Sequence, residues 1–231
     1  MNKKIMTFIL AAAMLLTSCG NGNENKESEA PVLGDADVKR DYNFSEVYKK
    51  QEDAIYTIQY EPIAESNVHL ILGMDILEGY DAAWLPETDN TENFYILREE
   101  DNKMYSTSKL LTAPKDMEKY YNTTDQEKIK EEMKSTYFTV ADVHDGLLNN
   151  AVNDFGHPIL TDWTGKFGDY DYYFLEFIEE DLGLHSMRFM VGNSKIDKDY
   201  WSYSFNADIP LGEQQLIDDF HAMLFSLREW H

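Results

Sequence analysis

The sequence predicts an α+β domain: an antiparallel sheet ending in a C-terminal meander, covered by a C-terminal amphipathic helix, with two more helices near 124–155. Two patterns carry that prediction. Between 170 and 206, three apolar-rich segments of strand length follow one another with turn signals between them, and 213–229 then changes to a helical period. Upstream, Thr124-x-x-Glu127 and Thr139-x-x-Asp142 have the cap-and-acid spacing that opens helices. With 43% apolar and 13% aromatic residues, the 231-residue chain has enough material for a core of this kind and is not a disordered polymer.

The elements follow in order. Asn43-Phe44-Ser45-Glu46 suggests a short helix over 44–53. Tyr56, Ile58 and Tyr60 alternate with Thr57 and Gln59, a strand that Pro62 ends. Residues 68–77 are almost continuously apolar and read as a central strand, and 79–93 reads as a loop. Residues 94–98 and 104–111 flank Asp101-Asn102-Lys103 as a hairpin. In the first of the two helices Ile129, Met133 and Tyr137 share a face. In the second, Val143, Leu147, Ala151, Leu148, Val152 and Phe155 form a stripe, and Gly156-His157-Pro158 stops it. Residues 170–179, 187–191 and 201–205 are the meander. Leu216, Ile217, Phe220, Met223, Leu224 and Leu227 make one apolar face of the last helix, with Glu213 and Arg228 placed to suit its dipole. Such a helix belongs on the open face of the sheet.

Charge narrows the function classes. Against 20 Lys and Arg stand 43 Asp and Glu, a formal charge of −23, so nucleic acid is excluded as a partner and flat adsorption to anionic lipid is disfavoured.

The N-terminus carries an address. Lys3 and Lys4 precede an uncharged apolar stretch from Ile5 to Leu16. As a helix this is about 18 Å long at 1.5 Å per residue, short of the roughly 30 Å hydrocarbon core. It therefore reads as the apolar part of a signal peptide. It ends Leu16-Thr17-Ser18-Cys19-Gly20, and Cys19 is the sole cysteine, so no internal disulfide or thiolate metal cluster is available. Leu16-Thr17-Ser18-Cys19 resembles the lipobox of bacterial lipoproteins. The resemblance implies cleavage between Ser18 and Cys19 and a diacylglycerol thioether on Cys19, often with a further palmitate-type acyl chain on the new amine. Two or three acyl chains anchor stably where one would not. It also implies residence in the cell envelope, and Gly20 after the cysteine implies the outer membrane in a host with two membranes. Downstream, residues 19–40 are rich in Asn, Glu, Lys and Ser and read as a flexible tether. The organisation expected is thus a signal peptide at 1–18, a tether at 19–40 and one α+β domain at 41–231.

A second resemblance lies at the C-terminal end. Gly168 to Phe177, Met187-Arg188-Phe189-Met190-Val191, Tyr200 to Phe205 and a helix containing Phe220, Met223, Ser226 and Leu227 together resemble the PsbP-like fold. The resemblance covers about 60 residues, and that superfamily is mostly made of assembly factors, adaptors and binding modules. It supplies no catalytic residue to carry over.

The side chains able to do chemistry are dispersed along the sequence. Asp218 and His221, three apart on the last helix, have a spacing that could hold a metal, but both fall on its polar side without a further ligand nearby in sequence, so they read as a solvated face. His144 and Asp145 are expected to point apart, and His157 to be a turn residue. The pairs Glu99-Glu100, Glu131-Glu132, Glu179-Glu180 and Asp218-Asp219 read as solvated surface. No phosphate loop, nucleophile elbow or calcium loop is present in the sequence. Trp84, Tyr120, Tyr121, Trp163 and Trp230 are candidates to line a sugar or partner surface, with ordinary packing as the favoured alternative.

The expectation is a non-enzymatic, lipid-anchored envelope protein, without cofactor or metal, whose soluble domain is a protein-interaction or assembly module for an unidentified envelope partner. The alternative is a lipoprotein that binds a small ligand, either a cation or a carbohydrate.

Overall fold

The computed structural model describes residues 54–60, 66–84 and 91–229. The strands are β1 (Ala54–Tyr60), β2 (Leu72–Leu77), β3 (Tyr80–Trp84), β4 (Thr91–Arg98), β5 (Lys103–Thr112), β6 (Ile159–Phe167), β7 (Tyr170–Glu179), β8 (Leu184–Gly192), β9 (Trp201–Pro210) and β10 (Arg228–Glu229). The helices are α1 (Met117–Tyr121), α2 (Gln126–Thr136), α3 (Val140–Asn149) with a π turn over Asn150–Asp154, and α4 (Gln214–Phe225). Seven strands form the main sheet in the order β3-β4-β5-β9-β8-β7-β6, and β1-β2-β10 form a second one. All pairings are antiparallel. This is the α+β architecture expected, with the meander and the covering helix in place.

Each face of the main sheet has its own cover, because alternate residues of a strand point to opposite sides. On one face Tyr172, Phe174, Met187, Phe189, Tyr203 and Phe205 pack with Leu216, Phe220 and Leu224 of α4 and with Leu72, Met74 and Ile76 of β2. On the other, Tyr173, Leu175, Phe177 and Met190 meet Val140 and Ala151. Ile129 and Met133 of α2 pack with Tyr137, Ala113 and Tyr200. The stripes expected on 129–137 and on 216–227 are therefore the buried ones.

Several elements differ from the sequence expectation. The apolar run 68–77 forms a strand only from Leu72, and that strand is the centre of the small sheet rather than of the large one. The expected loop 79–93 holds β3 and the start of β4. β6 was not expected: it is an edge strand whose register with β7 shifts between Ile159 and Thr161, which breaks the two-residue alternation that betrays a strand. α2 is capped by Asp125, not Thr124, because Asp125 Oδ1 accepts from the amides of Glu127 (3.0 Å) and Lys128 (3.3 Å). The capping box at Thr139 and Asp142 is formed as expected. After it the chain takes a π turn, with the Phe155 amide donating to the Asn150 carbonyl at 3.1 Å, and this swings Phe155 off the apolar stripe to 49% exposure.

The last helix stops at Phe225 rather than near 229. Ser226 Oγ donates to the Met223 carbonyl (2.6 Å) and accepts from the Asp75 amide (2.7 Å), which ends the helix against β2. Arg228 then belongs to β10 instead of complementing the helix dipole. Its guanidinium donates to Asp75 Oδ1 at 2.9 Å. The helix expected over 44–53 and the segments 1–18 and 19–40 lie outside the described residues.

Candidate functional site

The densest group of chemically able side chains lies where α4 crosses β7 and β8. On β7, Tyr172, Phe174 and Glu176 alternate toward α4, so a carboxylate occupies a position that neighbouring residues fill with aromatic rings. His185 stands near the start of β8, and His221 is on α4 one turn before Phe225. Both imidazoles direct Nε2 at one oxygen. His185 Nε2 is 2.9 Å from Glu176 Oε1 and His221 Nε2 is 2.5 Å from it. The glutamate side chain is 5% exposed, His185 10% and His221 28%, so His221 is the member of the group most open to solvent. The His221 ring lies flat on Phe225 (5.5 Å, 10°) and meets the edge of Phe174 at 5.9 Å, contacts that fix its direction.

Burial pushes the Glu176 carboxyl up. The hydrogen bonds from His185 and His221, the charge of His221 and the Thr161 hydroxyl outweigh that and hold it at about 2. A carboxylate that stays ionised among two imidazoles is a ready anionic ligand. This carboxylate–diimidazole set is the place among the described residues where a metal ion would find three donors.

A second feature is an open cleft of about 620 Å³ between α3 and the β6–β7 edge. In it, His144 Nε2 pairs with Asp162 Oδ1 at 2.7 Å and its Nδ1 faces Asp145 Oδ1 at 3.4 Å. The hydrogen bond to Asp162 raises the His144 pKa against the opposing effect of burial, and Asp145 adds to the rise. Lys166 and Asp171 form an ion pair at the cleft wall. Gly165 lets the Tyr172 ring approach, since a Cβ there would lie 2.9 Å from it.

The structure brings together residues that the sequence left apart and separates some that it grouped. His221 does not sit on a solvated face with Asp218; it turns to Glu176, while Asp218 accepts from Gln214 at 2.8 Å. His144 and Asp145 do not point fully apart: from the middle of α3 the imidazole meets Asp145 through Nδ1 and Asp162 through Nε2. His157 is a turn residue, stacked between Phe155 and Phe177. Tyr120 and Tyr121 pack edge to face on each other at 4.9 Å, while Trp163 packs on Phe174 and Phe225 on another part of the sheet. These three aromatics do not share one surface. Ser18, Cys19 and Trp230 lie outside the described residues. Sequence spacing did not reveal Glu176 and His185 as partners of His221, since the three come from two strands and a helix 45 residues apart in the chain. The one available signal was a charged residue in the middle of the apolar run 172–178.

Neither a protein-family model nor a curated protein sequence matches the chain. Among solved structures it is similar to the cyanobacterial PsbP (CyanoP) of Synechocystis sp. PCC 6803, with a TM-score of 0.43 at 8% identity over 78% of this chain and 95% of that one. It is also similar to the Ran-binding protein Mog1p of Saccharomyces cerevisiae, with a TM-score of 0.38 at 9% identity over 75% and 95% of the two chains. An E65A mutant of Mog1 gives 0.38 at 8% identity, over 75% and 96%.

Proposed function

We propose that this chain is a lipid-anchored cell-envelope protein, held to the membrane through Cys19, whose soluble domain is a non-catalytic module that docks another envelope protein. One observation carries the docking part. Seven large apolar side chains are exposed among the described residues, and five of them, Met104, Phe155, Leu160, Leu182 and Leu211, surround one end of the seven-stranded sheet. The register places them there. Arg98 pairs with Lys103, Glu179 with Leu184, Leu184 with Pro210 and Ile159 with Phe177, so the turns beyond these pairs share an end. The Leu211 amide donates to the Gly183 carbonyl at 2.9 Å, which sets Leu182 and Leu211 side by side.

Isolated exposed leucines are ordinary, but a cluster at one end suits an interface. Exposed Glu99, Glu100, Glu180, Asp181 and Glu213 rim the same end. The matching partner surface has an apolar centre and a basic rim, with the rim charges setting association rate and salt dependence more than affinity. The lipobox residues supply the membrane address, and the Asn- and Glu-rich segment after Cys19 would give the domain reach.

The test combines two variants in the native membrane. Cys19→Ala should abolish fatty-acid labelling and leave a larger, unprocessed chain; labelling that persists overturns the anchor. Leu182→Asp with Leu211→Asp should abolish capture of the partner that the unaltered chain captures, without lowering Tm. Capture that is undiminished overturns the docking end.

A further inference from the structure

We infer that Glu176, His185 and His221 form a binding site for one divalent transition-metal ion of the zinc class, a site that ties α4 to strands β7 and β8. The ligand atoms of the three residues all lie within 4.8 Å of one another. Zinc bound by imidazole nitrogen and carboxylate oxygen at about 2.0–2.2 Å places its donors roughly 3.3–4 Å apart. The two Nε2 atoms, at 2.9 and 2.5 Å from Glu176 Oε1, reach that spacing by moving outward by about an ångström or less.

The chemistry of the donors suits an ion. One carboxylate oxygen faces two imidazole Nε2 atoms in a place where Glu176 is 5% and His185 10% exposed. A dication there would neutralise the buried carboxylate, and each Nε2 would exchange the hydrogen it directs at Glu176 for a bond to the ion. Two imidazoles and one carboxylate select zinc-like ions over calcium or magnesium, which take mostly oxygen ligands. Three protein ligands leave a fourth position for water, and His221, at 28% exposure, is the ligand most open to solvent. The Phe225 and Phe174 contacts hold the His221 ring in its ligating direction. An ion here bridges helix and sheet, so its binding energy adds to the docking of α4.

The inference is independent of the partner-docking reading, since the site is inside the α4–sheet contact and the docking end is formed by turns. The two therefore fail separately.

The test uses the full chain, purified in detergent, stripped with a chelator and dialysed. Titration with Co²⁺ should give the intense visible d–d bands of tetrahedral coordination, saturating at one equivalent. Calorimetric titration with Zn²⁺ should show one site, and Zn²⁺ at about 100 times Kd should raise Tm by several degrees. His221→Asn and His185→Asn should each weaken that site about 100-fold or more. His144→Asn, which alters the other histidine–carboxylate group, should leave it unchanged. His221 is part-exposed, so its replacement leaves the fold intact even if His185→Asn does not. Absence of the cobalt bands, or equal binding by the His221→Asn chain, overturns the inference and leaves only loose association with the acidic surface.

Discussion

Replacing Arg228 by Ala should destabilise the domain by about 3 kcal/mol. Asp75 is 2% exposed, and its carboxylate is held by the Arg228 guanidinium at 2.9 Å and the Thr57 hydroxyl at 2.7 Å. Among the described residues Asp75 Oδ2 has no hydrogen-bond partner, so the guanidinium is the main compensation for this buried charge. Removing one member of a buried pair typically costs 3–5 kcal/mol. Arg228 is 19% exposed, so water can reach the vacated place, and the low end of that range applies. For a domain of this size, each kcal/mol shifts Tm by about 2–4 °C, giving a fall of about 6–12 °C. Thermal and urea unfolding of Arg228→Ala, Asp75→Asn and the double variant would measure it. Asp75→Asn in the Arg228→Ala background should recover stability, because the orphaned charge is then gone. A loss below about 1 kcal/mol, or no recovery in the double variant, would refute the view that a buried ion pair closes the C-terminus onto β2.

Other perturbations have equally definite outcomes. Ser226→Ala removes the acceptor for the Asp75 amide and should cost about 1–2 kcal/mol, read from urea midpoints. Gly192→Ala puts a Cβ 2.6 Å from the Trp201 carbonyl oxygen and 2.9 Å from Ser202 Cα. Since backbone must move, the loss should be about 1–3 kcal/mol, with amide exchange quickening along the β8–β9 pairing. The His144 resonance should titrate above its ordinary value, and Asp162→Asn should bring it down. Its sign is fixed: the raised folded-state pKa gives a stability contribution that is full below about 6.5 and fades as pH rises through the folded value, so a pH–stability profile of His144→Gln should lose that slope.

The extent to which the sequence disclosed this structure follows from where its signals are local. Thr139 and Asp142 cap α3 through atoms three residues apart, and the stripe Leu216–Leu227 repeats with the helix period, so both were legible. The meander was legible because its strands are consecutive. β6 was not, because its bulge beside β7 interrupts the alternation, and β3 was not, because five residues at a sheet edge carry almost no period. The end of α4 escaped because it is set by Asp75, 151 residues away in the chain. The same reason hid the Glu176–His185–His221 group: each residue is unremarked in its own segment, and only the packing of α4 on β7 and β8 makes them neighbours. Asp218 and His221, three apart on one helix, had the spacing, yet their side chains take other partners.

The most direct measurement is photo-crosslinking in intact envelopes, with a photoreactive amino acid placed singly at Leu182, Leu211 or, as the distal control, Glu131 on α2. If the turn-bearing end of the sheet docks a membrane-envelope partner, Leu182 and Leu211 should yield the same heavier adduct and Glu131 none. The adduct should also weaken with salt, because the acidic rim takes part. No adduct from either leucine, or an identical ladder from all three positions, would contradict the docking module.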